Sequence, residues 1–209
     1  MIELDYMALG AFQTNVYLIK NTELKEAIIV DPGAEIDSIE KMIDKSGCEV
    51  RTVLITHGHD DHIGALSALR EKYNVKVYAN IEEKDTLNNP EINLSTIITG
   101  RAITADADVW LKDGEEFEAA GLRIKALHTP GHTMGGMCYY IESMDWLFSG
   151  DTLFQESVGR TDFPGGSLRA IVDSINDKLM TLDDETICYP GHGDATSIGH
   201  ERVYNPYLI

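Results

Sequence analysis

The sequence predicts an α/β chain folded as a four-layer αββα sandwich. Strand and helix signals alternate in the first half. Strands followed by a helix recur in the second, and no Pro/Gly/Ser-rich linker separates the two. Two similar halves pressed into one domain over 1–209, with sheets face to face and helices outside, satisfy that order. Periodicity by itself specifies a mixture of α and β and no more.

The elements follow in order. IELDYMAL, NVYLI and AIIV read as short strands, the last stopped by the turn formers Asp31-Pro32-Gly33. Over 36–45 the apolar Ile36, Ile39, Met42 and Ile43 fall at helical spacing, and Ser46-Gly47 ends that helix. VLIT at 53–56 is a buried strand that runs straight into a histidine cluster. Residues 63–73 have helical spacing, and VKVYA is a strand. The polar stretch 81–107 carries a weak helix near its start and loop thereafter. Strand signals resume at VWL, EEFEA, LRIKAL, GMCYYIE and WLFSG, with turns such as Lys112-Asp113-Gly114 between them. A helix over 168–179 and a strand ETICY lead to the last motif.

Composition narrows the function classes. Hydrophobic residues make up 43% and charged residues 25%, as in an ordinary globular protein. No apolar run approaches the roughly 20 residues needed to cross a bilayer. The start, MIELDYMALG, has acids where a signal peptide carries basic residues, so a cytoplasmic location is expected. A net charge of −18 repels polyanions, and no nucleic-acid or membrane partner is expected; the charge serves solubility. Cys48, Cys138 and Cys188 form no CxxC pair, which argues against a zinc ribbon or a disulfide framework. Cys138 and Cys188, in or beside apolar strand-like runs, read as buried, inert thiols, and Cys48, after Gly47 at a helix end, as structural.

The chemistry lies in THGHDDH at 56–62. His57, His59, Asp61 and His62 offer imidazole nitrogen and carboxylate oxygen, donors that suit zinc, iron and manganese alike. In a turn after a strand, His57 and His59 can serve one ion while Asp61 and His62 reach a neighbouring one. Gly58 is expected to supply the backbone freedom for that convergence. More donors are needed, and they stand at later strand ends: His132 in HTPGHT, Asp151 after WLFSG, and His192 in YPGHGD. Each follows an apolar strand and sits in a glycine-containing turn. His128 and His200 have no partner motif; His128 reads as packing or as a support behind the ligands, and His200 as structural. No GxSxG elbow provides a protein nucleophile.

DPG, THGHDDH, HTPGHT, SGDTLF and YPGHGD, in this order, resemble the metallo-β-lactamase superfamily from AIIVDPGAE to the end of the chain. The resemblance implies that His57, His59 and His132 hold a first divalent ion. Asp61, His62 and His192 would hold a second, Asp151 would bridge them, and Asp31 would support the site from below. Zinc is the expected metal, with iron or manganese as alternatives. SGDTLFQESVGRTDFPGGS and GHERVYNPYLI are similar to the glyoxalase II group, in its short form without a C-terminal helical domain.

That likeness implies hydrolysis of a small-molecule thioester such as S-lactoylglutathione by a hydroxide shared between two ions, with Asp61 accepting a hydrogen bond from it. It also implies that Arg160 meets a substrate carboxylate. Two alternatives stand beside it. GRTDF at 159–163 is shared with persulfide dioxygenases, which use one iron, and lactones suit the same two-ion centre. Class B1 β-lactamases have Cys where this chain has Asp151, so antibiotic hydrolysis is not expected. The oligomeric state is left open.

Overall fold

Eight apolar or shielded side chains in a row explain where the first sheet sits. In the computed structural model, which describes residues 1–208, β2 (Thr14–Asn21) is buried along its whole length between β1 (Ile2–Leu9) and β3 (Glu26–Val30). Even Lys20 is buried there, its ammonium met by Glu3 at 3.0 Å and Asp5 at 2.7 Å. From β3 the sheet continues through three parallel strands, β4 (Glu49–Leu54), β5 (Lys76–Asn80) and β6 (Val109–Leu111).

Parallel neighbours need long crossovers, and helices supply them. α1 (Ile36–Ser46) joins β3 to β4, and α2 (Asp60–Ile63) with α3 (Leu66–Lys72) joins β4 to β5. A 3₁₀ turn at Ile81–Glu83, α4 (Lys84–Asn88) and α5 (Ser95–Ile98) join β5 to β6. The helix expected over 63–73 is therefore split at Gly64-Ala65. The loop expected after the weak helix near 81 is interrupted by the single turn of α5.

The second sheet contains β7 (Glu116–Ala119), β8 (Leu122–His128), β9 (Met137–Ile141) and β10 (Trp146–Gly150) in antiparallel sequence. A small hairpin, β11 (Leu153–Phe154) and β12 (Ser157–Val158), leads to α6 (Leu168–Lys178). The chain returns as β13 (Ile187–Pro190), parallel to β10, then β14 (Thr196–Ser197) and α7 (Ile198–Tyr204). Sequence periodicity did not reveal α7. Its start is marked by Ser197, whose hydroxyl accepts from the His200 amide.

Alternation along the strands sorts the core into three apolar layers. Tyr17, Ile19, Ile28 and Leu54 point between the sheets and meet Ile124, Tyr139, Ile141 and Phe148 of the second sheet. Their neighbours Val16, Leu18, Ile29 and Val53 point outward to Ile39, Ile43, Leu66 and Leu69 of the helices. On the far side Cys138, Leu147 and Cys188 pack under Ile171, Ile175 and Ile198. Helix, sheet, sheet, helix is the expected αββα order. All three cysteines are buried and unpaired. The buried Tyr139 hydroxyl ties the sheets together by donating to the Ile55 carbonyl at 2.8 Å.

Three functional segments leave parallel strands at their C-terminal ends, the usual place for ligands in such sheets. Asp31 follows β3, the histidine cluster follows β4, and the 81–107 stretch follows β5. The first two turns touch: a Cβ on Gly33 would lie 1.6 Å from the Asp61 carbonyl oxygen. Backbone on backbone has no flexible side chain to yield. Gly33→Ala is thus expected to destabilise by at least about 3 kcal/mol, the top of the overpacking range, or roughly 6–12 °C in Tm. Calorimetric melting checks this, and a variant melting within about 2 °C of the parent would contradict the contact.

Candidate metal centre

Each site residue is aimed by a specific local device. His57 and His59 flank Gly58, whose missing side chain lets α4 approach: a Cβ there would sit 3.1 Å from both the Thr86 Cγ2 and the Leu87 amide nitrogen. Its φ lies outside the left-handed region, so close packing, and not the expected backbone freedom, is the reason for glycine. Asp61 and His62 leave the first turn of α2. His132 is in the turn after β8, and Asp151 follows β10. The turn carrying His192 is pinned to β2: the Asn15 amide donates to the Gly191 carbonyl at 2.7 Å, and the Asn15 side chain donates to Pro190 and Gly193 carbonyls.

The seven residues expected from sequence all converge. His57, His59 and His132 form one donor group; Asp61, His62 and His192 form another; His57, His62 and Asp151 form a third that overlaps both. Within the second group the Nε2 atoms of His62 and His192 are 3.4 Å apart, and Asp61 Oδ2 lies 3.7 and 3.3 Å from them. Ligands at the corners of a tetrahedron with bonds of 2.0–2.2 Å are separated by about 3.3–3.6 Å. Asp151 Oδ2 stands 3.6 Å from His132 Nε2 and 3.5 Å from His192 Nε2, between the two groups.

Hydrogen bonds fix which ring nitrogens are free. Carbonyl and ionised carboxylate oxygens only accept. His132 Nδ1 therefore donates to the Arg160 carbonyl at 2.7 Å, and His192 Nδ1 donates to the Phe12 carbonyl at 3.1 Å. His62 Nδ1 donates to Asp31 Oδ2 at 2.9 Å. Neutral His62 and His192 would then face each other with lone pairs, a repulsive contact unless a cation lies between. Buried His57 Nε2 has no partner among the described residues. Orphaned nitrogen, opposed lone pairs and bridging carboxylate all fit divalent transition-metal ions.

Electrostatics divides the two groups. Burial, reinforced by neighbouring imidazoles, drives His57 well below the usual histidine range and His59 down to about 3. Burial acts the same way on His62, but the carboxylates of Asp61, Asp151 and Asp31 overcome it and hold that ring well above the usual range. His192 is likewise raised, to about 10, its burial outweighed by Asp151 and Asp61. Burial disfavours the charge of Asp61, yet His62 and His192 hold it down to about 2. Asp151 is also held well below the usual carboxylate range: burial opposes its charge, but His62, His192 and His132 outweigh it.

The supporting residues are less visible in sequence. Asp31 Oδ1 also accepts from the Thr56 amide at 2.8 Å, and Oδ2 from its hydroxyl at 2.6 Å, which is the supporting role the resemblance implies for it. Glu83 is fully buried beneath the cluster. Its Oε1 accepts from the Gly58 amide at 2.8 Å. Its Oε2 accepts from the Thr133 hydroxyl at 2.9 Å and the Gly135 amide at 2.8 Å. One carboxylate thus ties the first histidine turn to the His132 turn. Burial pushes it up against the pull of those three donors. Thr14 donates to Asp61 Oδ2 at 3.0 Å. Neither Glu83, inside the polar run IEEKD, nor Thr14 sits in a motif, so sequence reading missed both.

The donors open onto a cavity of about 990 Å³, whose wall includes Leu94, Ile97 and Ile98. The 81–107 stretch therefore helps to form the site. Arg160 stands at the rim, with Nε and Nη2 donating to the two carboxylate oxygens of Asp162 at 3.0 and 2.8 Å. His128 Nε2 donates to the Met134 carbonyl and His200 meets Glu156, both outside the donor groups.

Protons and metal compete for the same nitrogens. His57 and His59 are neutral at pH 7 and ready to ligate, whereas His62 and His192 must first lose a proton. Metal affinity of the Asp61–His62–His192 group is thus expected to fall first as pH is lowered, and loading at pH 7 to release about one to two protons per chain. Titrating metal-free protein with zinc in buffers of different ionisation enthalpy measures that release. Identical heats in all buffers would contradict it.

Known proteins resemble this chain in sequence and fold. The family described as Metallo-beta-lactamase superfamily matches residues 9–192. Probable metallo-hydrolase YqgX of Bacillus subtilis is 37% identical, over 97% of this chain and 95% of that protein. Hydroxyacylglutathione hydrolase GloC of Haemophilus influenzae is 34% identical, over 99% and 98%. Among solved structures, BLEG-1 B3 metallo-beta-lactamase aligns with a TM-score of 0.93 at 38% identity, over 99% of each chain. TTHA1623 in a di-iron-bound form gives 0.86 at 32%, over 98% and 100%. ETHE1 from Myxococcus xanthus gives 0.82 at 31%, over 98% and 83%. With two sheets flanked by helices and His/Asp donors gathered at one edge, the chain belongs to the metallo-β-lactamase superfamily.

Proposed function

We propose that this metal-dependent hydrolase cleaves a thioester, using a centre of two divalent ions. His57, His59 and His132 would hold one ion and Asp61, His62 and His192 the other, with Asp151 placed between the two groups. The observation that carries the two-ion reading is Asp151 Oδ2, 3.6 Å from a donor of one group and 3.5 Å from a donor of the other. The bond to be broken is suggested by GloC, a hydroxyacylglutathione hydrolase similar over 98% of its length. Zinc suits the donors, and the di-iron form of TTHA1623 makes iron its rival.

Ions bound there supply Lewis acidity, lowering the pKa of water from 15.7 towards about 7 and polarising a carbonyl oxygen. The chain's own residues orient the partners. Asp61, held ionised at a pKa of about 2, is too weak a base to carry a proton at neutral pH. It accepts a hydrogen bond from the attacking water and aims it at the carbonyl carbon. Asp31 and the Arg160 carbonyl lock the His62 and His132 rings so that their Nε2 atoms face inward. A departing thiol has a pKa of about 8.5 and leaves as thiolate without a general acid.

BLEG-1 supports a second reading, hydrolysis of a β-lactam amide, because it is named a B3 metallo-beta-lactamase and is 38% identical. Metal content and four substrates decide the matter: a thioester, a β-lactam, a lactone and a persulfide with oxygen uptake recorded. Two ions per chain and oxygen-independent thioester cleavage, lost on chelation and regained on reloading, are the expected results. One iron with persulfide-dependent oxygen uptake, or cleavage of the β-lactam or lactone alone, would overturn the assignment. Asp31→Ala, with all seven donors intact, is expected to lower metal affinity or activity about 10–100-fold. Parallel metal titrations and initial rates measure that loss.

A further inference from the structure

The cavity wall is oily, and its charges are negative or already neutralised. Phe12, Leu94, Ile97, Ile98, Phe154 and Phe163 line it. Ile97 is 78% exposed and Phe12 is 53% exposed. Large apolar side chains left in water around a concave opening mark a surface that something covers. Apart from the donor residues, the wall's acids are Glu91 and Asp194, and its single Lys or Arg is Arg160. That guanidinium is held by both oxygens of Asp162 and lies 4.4 Å from the centre of the Phe163 ring. It therefore adds a flat, charge-compensated face to the wall and no unpaired cation.

Resting on the thioester reading, we infer that the substrate is an apolar acyl group joined to a thiol without carboxylates. A glutathione thioester brings two carboxylates and one ammonium. Glu91 and Asp194 can meet the ammonium, but the wall's only cation for the carboxylates is Arg160, already paired with Asp162. The carboxylates face instead those two acids and the field of a chain with net charge −18. In the reaction a water oxygen forms the new C–O bond to the acyl carbon. The C–S bond breaks with its electron pair on sulfur, and the products are a carboxylate, a thiol and the balancing proton. The apolar wall holds the acyl chain while it is neutral at its head. The acidic rim then offers the new carboxylate no counter-charge beyond the ions themselves, so it favours release.

The zinc-loaded full chain is to be assayed with four esters: lactoyl and hexanoyl groups, each on glutathione and on the neutral thiol N-acetylcysteamine. Hexanoyl-N-acetylcysteamine is expected to exceed S-lactoylglutathione in kcat/KM by at least about tenfold. KM for the glutathione esters should fall as salt screens the repulsion, with no such change for the neutral pair. Ile97→Asp, at an exposed position, should lower kcat/KM more for hexanoyl than for lactoyl esters. Equal rates, or preference for the glutathione esters, would overturn this inference and leave the thioester reading standing. Cleavage of none of the four would overturn both.

Discussion

Two imidazole nitrogens are pressed against one another across a gap that neither ring can fill as a neutral partner, and the rest of the structure is organised around that contact. The His62 and His192 Nε2 atoms are 3.4 Å apart while their Nδ1 hydrogens are committed to Asp31 and the Phe12 carbonyl. Such an arrangement needs a cation. A proton can serve, which is why these rings are held in their charged form by three carboxylates, and a metal ion serves with more ligands at once. His57 and His59 meet the same crowding differently, through burial that keeps them neutral. The two halves of the centre thus start from opposite charge states before any metal arrives.

Neither sheet holds a complete donor set. His57, His59, Asp61 and His62 come from the crossover after β4, whereas His132, Asp151 and His192 come from turns of the second sheet. Each three-residue group therefore requires the sandwich to be closed. Closure is enforced by the apolar layer between the sheets and by polar links at the site's edge. The Met137 amide donates to the Thr56 carbonyl at 2.8 Å, Tyr17 donates to the Pro190 carbonyl at 2.6 Å, and Glu83 grips both histidine turns. A buried carboxylate such as Glu83 is costly without partners, so its three donors specify one relative placement of the two loops.

Much of this was legible in the chain itself. THGHDDH, HTPGHT, SGDTLF and YPGHGD each couple a strand end to a donor residue, and local chemistry of that kind survives in sequence. The strands were readable because β9 and the centre of β2, at 16–19, are continuous apolar runs. Glu83 was not readable. Its role arises from being brought under Gly58 and Gly135 by a 3₁₀ turn, and nothing in IEEKD distinguishes it from the solvated acids beside it. Gly58 was read for the wrong reason, since the need for glycine comes from α4, 28 residues later in sequence order at Thr86. The short helices α5 and α7 escaped because one or two turns leave too few residues for a period to emerge.

The acidity of the chain acquires a second meaning at the site. Spread over the surface, net charge −18 favours solubility. Concentrated around the cavity, carboxylates do two separable things. Those beneath it, Asp31, Asp61 and Asp151, create the negative potential that draws cations into a buried pocket of imidazoles. Those at its rim, Glu91, Asp162 and Asp194, leave no unpaired positive group beside the apolar wall. For the proposed neutral thioester, hydrolysis makes an anion, so a surface that tolerates the ester and opposes the acid favours turnover over product retention. The same sign of charge that assembles the centre from below clears it from above.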